Sequence, residues 1–124
     1  TRALSSLALA HIGDAVYELF ARTHIAETGR LTASGAHRAA IALVSAHAQA
    51  AAARVIVPLL DDAERSVFAR GRNARVHTVP KHADLAEYHA ATALEALFGY
   101  LYLTGGTARA GELFAAGLNA KEAT

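Results

Sequence analysis

A chain of 124 residues with 53% hydrophobic and 19% charged side chains is long enough for one globular core and too apolar to stay disordered. The lack of cysteine excludes a disulfide framework, a thiolate nucleophile and any cysteine-built zinc site, and no long apolar run or basic leader indicates a membrane span or signal peptide, so a cytoplasmic protein is expected. The formal net charge of +1 argues for no partner by itself, but five basic residues (Arg65, Arg70, Arg72, Arg75 and Lys81) fall in one stretch without an acid, against seven basic and eleven acidic residues elsewhere.

Apolar residues recur at helical spacing almost throughout, and no run alternates as a half-buried strand does, so an all-α fold is predicted. The numbering starts at Thr1, and an initiator methionine, with or without a short leader, is expected to have been lost. A first helix should be capped by Ser5 or Ser6, turn Leu7, Ile12, Val16, Leu19 and Phe20 inward, and stop at Gly29. After a turn around Thr32 and Gly35, one helix should span 36–43 and another should run from near Ser45 to Val57, where Pro58 ends it. Asp61 and Glu64 have the spacing of a capping box for a helix that ends near Arg70 and Gly71. Residues 72–81 read as an ordered loop, 83–103 as a long helix, Gly105 and Gly106 as a turn, and the rest as a final helix to about Leu118. No internal repeat or linker divides the chain, so a single domain over 1–124 is expected.

Two carboxylates are out of place in this pattern. Asp14 and Glu18 are the only charged residues from Ala3 to Ala21, and Glu95 is the only one from Ala90 to Leu103. An ionised carboxylate withdrawn from water costs several kcal/mol unless it is paired, protonated or bound to a cation. Pairing within the helix is not available to Glu95, whose one-turn neighbours are Ala91, Thr92, Phe98 and Gly99. The alternative is that each acid simply faces solvent from an amphipathic helix. A Mg2+ ion held by one or two protein carboxylates would remove the energetic objection and supply metal-assisted phosphodiester hydrolysis. Glu18, one turn after Asp14 on the same face, is a further or outer ligand, or else a surface residue.

The segment LALAHIGDAVYE, residues 7–18, resembles the first metal-binding motif of the ribonuclease III family, with Asp14 on the metal-binding Asp. ATALEALFGYLYL, residues 91–103, resembles the second acidic motif, with Glu95 on the metal-binding Glu. VSAHAQA (44–50), ARGRNAR (69–75) and the run from Val79 to Leu103 are similar to mini-ribonuclease III, the bacterial subgroup made of the catalytic domain alone. Larger members carry two further acids where this chain has Ala10 and Thr92, a substitution pattern the subgroup shares, and His89 stands where the subgroup more often has Arg.

The resemblance implies a single ribonuclease III-type helical endonuclease domain without a double-stranded-RNA-binding domain. It further implies a Mg2+-dependent (or Mn2+-dependent) homodimer in which each subunit cuts one strand. The products would carry 5′-phosphates, 3′-hydroxyls and a short 3′ overhang. The substrate it implies is a base-paired stem of precursor large-subunit (23S) ribosomal RNA.

The basic stretch fits this expectation, because A-form RNA is recognised mainly through phosphates and 2′-hydroxyls, which Arg and Lys reach readily. Arg70, Arg72, Asn73, Arg75 and Lys81 are the candidate RNA contacts; the alternative is a solvated basic helix end favoured by the helix dipole. The seven histidines are dispersed and form no one-turn zinc pair, and the tyrosines at 17, 88, 100 and 102 are expected in the core or at a dimer contact. A rival reading, made credible by the two absent acids, is a non-catalytic helical RNA-binding dimer that acts in ribosome assembly.

Overall fold

The computed structural model describes residues 4–29, 32–74, 79 and 81–122, and every regular element among them is helical. In chain order these are α1 (Ser6–Thr28), α2 (Ala33–Val44), α3 (Ala46–Ile56), a single 3-10 turn (Val57–Leu59), α4 (Asp62–Arg72), α5 (Leu85–Leu103) and α6 (Thr107–Glu122). The expected all-α architecture is what the chain adopts.

Local chemistry sets most of the boundaries. Ser5 caps α1 by accepting the Ala8 amide, and Gly29 ends the helix in the left-handed conformation at φ 73°. Thr32 accepts the Gly35 amide and so starts α2 three residues before the position expected from sequence; Gly35 lies in the first turn of that helix. Ser45 both ends α2 and caps α3. Asp61 and Glu64 form the complete capping box of α4, which continues to Arg72, one residue past the expected end around Arg70 and Gly71. Asp84 accepts the Glu87 amide and opens α5 at Leu85. The last helix passes the expected end at Leu118 and reaches Glu122.

The core is built around α5, which packs against α1, α3, α4 and α6. Ala93, Leu94, Ala96, Leu97 and Phe98 are completely buried, so this helix is enclosed on nearly every side. Each of its large side chains contributes about 1.5–3 kcal/mol of burial free energy. Tyr17 of α1 and Phe114 of α6 close over Phe98, with the Tyr17 ring edge-on to both at centroid separations of 5.0 and 5.2 Å.

The inward face of α1 differs from the expected one. Leu19 is 66% exposed and Leu7 is exposed as well, Ile12, Val16 and Phe20 are half-buried, and the buried stripe is Ala10, Gly13, Tyr17, Ala21 and Ile25. The helix is apolar around much of its circumference, so periodicity alone leaves its rotation open; the small residues face α5 because the two backbones come too close for anything larger. No single helix among the described residues is long and apolar enough to cross a membrane.

Candidate metal centre

Two glycines create the site. A methyl group on Gly13 would overlap the carbonyl oxygen of Glu95, and one on Gly99 would overlap the carbonyl oxygen of Leu9. Only hydrogen fits at either position, so α1 and α5 cross backbone to backbone. Asp14 directly follows Gly13, and Glu95, whose carbonyl meets Gly13, lies one turn before Gly99. The crossing brings their carboxyl groups within hydrogen-bonding reach of each other.

Asp14 is exposed and Glu95 is half-buried, so the pair sits at the mouth of the crossing, with one acid facing solvent and the other facing the core. Glu95 is pushed up to about 7, first by burial, then by the negative charge of Asp14 and a hydrogen bond to it; a hydrogen bond from Gln49 opposes the rise. Burial, and secondarily the same charge of Glu95, also lifts the Tyr17 hydroxyl to about 12, which keeps it neutral at physiological pH. Two crowded carboxyl groups that hold a proton near neutrality are an oxygen donor set suited to a hard divalent cation, which would displace the proton and relieve the repulsion.

The two positions expected to lack acids are filled with inert groups. Ala10 is buried between helices, and the Thr92 hydroxyl donates to the Tyr88 carbonyl one turn back, within its own helix. Glu18 accepts a hydrogen bond from Arg22 at 3.2 Å. Among the described residues, no third acidic or histidine side chain joins the pair closely enough to form a three-ligand cluster.

Gln49 was not identified from the sequence as a site residue, although it lies within the motif at 44–50. It is 2% exposed, and its Nε2 donates to Glu95 Oε2 at 3.3 Å and to the Val44 carbonyl at 2.9 Å. The available signal was an uncharged polar residue set among the alanines of α3.

Of the basic stretch, Arg72 and Asn73 lie beside the start of α5, about three turns before Glu95 in the middle of that helix. Arg70, Arg72, Asn73 and Lys81 are all exposed, whereas Arg75 lies outside the described residues. Arg72 and Asn73 border a cleft completed by Leu85, Ala86 and His89. His89 precedes Glu95 by six residues, about 9 Å along the helix axis. The cleft and the acidic pair therefore share α5 as a common support.

Comparisons with known proteins converge. The Ribonuclease III domain family matches residues 7–106. A Mini-ribonuclease 3 of Symbiobacterium thermophilum is 47% identical over 113 residues, covering 91% of this chain and 87% of that protein. A Mini-ribonuclease 3 of Enterococcus faecalis is 41% identical over 112 residues, covering 89% and 85%. A crystal structure of a protein from Fusobacterium nucleatum superposes with a TM-score of 0.86 at 28% identity, over 97% of this chain and 96% of that one.

Proposed function

The chain belongs to the ribonuclease III family and is an endoribonuclease acting on double-stranded RNA, and from that premise we propose that it hydrolyses base-paired RNA with a divalent metal ion held by Asp14 and Glu95. The observation that carries the proposal is the contact of these two carboxyl groups at the glycine crossing, with Glu95 pushed up to about 7. Asp14 offers the exposed oxygens and Glu95 the sheltered ones, an arrangement that leaves room for water and a phosphate on the solvent side. When bound, Mg2+ or Mn2+ lowers the pKa of a coordinated water and neutralises charge on the leaving oxygen. Glu18, one turn further along α1, serves as an outer partner through its contact with Arg22 rather than as a direct ligand.

Arg70, Arg72, Asn73, Arg75 and Lys81 form the RNA contact in this reading and hold the phosphates of one strand beside α5. The substrate is a base-paired stem of precursor 23S ribosomal RNA, cut in the cytoplasm to leave 5′-phosphate ends. Residues 1–124 act as one catalytic domain. Two such domains work as a homodimer, one site per strand. The exposed Leu19 and Ile41 are apolar side chains that a dimer contact would cover, and the cleft between α1 and α2 beside Ile41 combines Val44 with the polar Glu18, Arg22 and His37.

The deciding experiment is incubation of a base-paired RNA with the purified chain. Cleavage is expected with Mg2+ or Mn2+, none with a chelator, and a loss of at least a hundredfold with Asp14→Asn or Glu95→Gln. Binding without cutting under every metal condition would refute the catalytic assignment and favour the rival assembly factor.

A further inference from the structure

The buried amide of Gln49 is held in one orientation at a cost. Both of its hydrogens are committed, one to Glu95 Oε2 and one to the Val44 carbonyl, while Oε1 lies buried without a partner. Turning the amide over would not help, because it would set Oε1 against the Val44 carbonyl, acceptor facing acceptor, and leave the two Nε2 hydrogens where Oε1 now finds no partner. A buried acceptor left unpaired costs about 1–3 kcal/mol. A methionine fills nearly the same volume without carrying that cost. A local arrangement that forgoes stability in this way points to a site where something other than folding is served.

The function of the amide follows from what surrounds Glu95. Asp14 approaches from α1 with like charge, and the core side of the crossing is apolar, with Leu94, Leu97 and Phe98 on the same helix fully buried. Gln49 reaches in from α3 and supplies the hydrogen bond that favours the charged carboxylate and fixes its orientation. We propose that Gln49 is a positioning residue of the metal centre: by donating to Glu95 Oε2 it orients that carboxylate for a divalent cation, and so sets the affinity of the site. This inference rests on the reading of Asp14 and Glu95 as the metal-holding pair. A partner that orients a metal ligand through a hydrogen bond typically contributes about 10–100-fold to metal affinity.

The test uses the full chain, stripped with chelator and titrated with Mn2+ alone, with free Mn2+ followed by paramagnetic resonance and thermal unfolding measured without metal. Gln49→Met removes the donor at nearly constant volume. Gln49→Asn keeps a buried amide but withdraws it by one methylene, and it stands in should the methionine variant fail to fold. Both variants are expected to bind Mn2+ about 10–100-fold more weakly than the unmodified chain, while neither metal-free unfolding midpoint falls by more than a few degrees. Affinity within twofold of the unmodified chain overturns the proposal. So does a weakening matched by a large fall in the metal-free midpoint, which would assign Gln49 to packing alone. An unmodified chain that binds no Mn2+ removes the Asp14–Glu95 reading itself, and that result is visible before any variant is compared.

Discussion

Glu95 links two chemistries through one proton. Its folded-state value of about 7 lies above the ordinary carboxylate value of 4.5, so between those limits the folded chain keeps a proton that the unfolded chain has released. The stability this contributes is present at acid pH and is lost as pH rises through about 7, the opposite of what a salt-bridged carboxylate does. In the presence of chelator, stability should therefore decline from pH 5 to pH 8 by an amount on the order of 2 kcal/mol. Glu95→Gln should abolish most of that decline. Added Mn2+ should reverse it, since the ion competes with the proton and binds more tightly as pH rises. Denaturant unfolding at pH 5, 6.5 and 8, with and without Mn2+, measures all three, and a Glu95→Gln profile parallel to that of the unmodified chain removes Glu95 as the titrating group. The identities of Asp14 and Glu95 were legible in the sequence because charge in the middle of an apolar helix is conspicuous. Gln49 was not, because an uncharged amide among alanines looks like a surface residue until its helix is placed against Glu95.

At the level of elements, the site depends on how closely α1 can approach α5. Glycine inside a helix costs about 1 kcal/mol relative to alanine, so Gly13 and Gly99 weaken their own helices and are explained by what their absent side chains permit. Gly13→Ala should reverse the usual benefit of that exchange, because the added methyl meets the Glu95 carbonyl oxygen, a backbone atom that can yield only if the whole helix moves. The expected loss is more than about 3 kcal/mol, at the upper end of overpacking penalties. Mn2+ binding should fall with it as the two carboxyl groups are driven apart. Gly29→Ala meets no neighbour and carries only the cost of its positive φ, about 1 kcal/mol, so it serves as the contrasting substitution. Equal effects of the two on thermal unfolding would mean that the crossing is looser than described. The caps that start these elements were readable from residue types, since Ser5, Ser45 and Asp61 act on amides three residues away. Packing between elements was not. Glu64 was legible as half of a capping box, but its pairing with Arg109, at 3.0 Å from each of two guanidinium nitrogens, joins residues 45 apart in sequence and depends on α6 folding back against α3. The rotation of α1 was hidden for a related reason. Leucines at 7 and 19 carry more hydrophobicity than Ala10 and Gly13, yet the space beside α5 admits only the smaller pair.

Across the whole molecule, the acidic pair and the basic candidates lie along one helix, the pair at the middle of α5 and Arg72 beside its start. The acids sit where α5 crosses α1, and the basic side chains Arg70, Arg72 and Lys81 stand exposed around its start, where Arg72 and Asn73 face His89 across a cleft. An RNA whose phosphates rest on Arg72 and Lys81 would have to reach the acidic pair across the surface above the buried segment 91–94, and six residues of helix, about 9 Å, separate His89 from Glu95. That distance is of the order of one to two phosphate spacings, short enough for neighbouring nucleotides to meet the cleft and the acidic pair at once. The division also separates binding from cutting, which the following substitutions exploit. Arg72→Glu combined with Lys81→Glu should weaken binding of a base-paired RNA at least tenfold at moderate salt, and should lower the slope of log affinity against log salt by roughly one for each phosphate that is no longer neutralised. Because both side chains are exposed, folding stability should change by no more than about 0.5 kcal/mol. Asp14→Asn should do the reverse, abolishing cleavage while leaving the salt slope intact. Filter binding over a range of KCl concentrations, on the same preparations used for cleavage, reads both effects. If the double reversal leaves affinity and slope unchanged, the RNA does not lie across the start of α5, and the basic stretch is a solvated helix end.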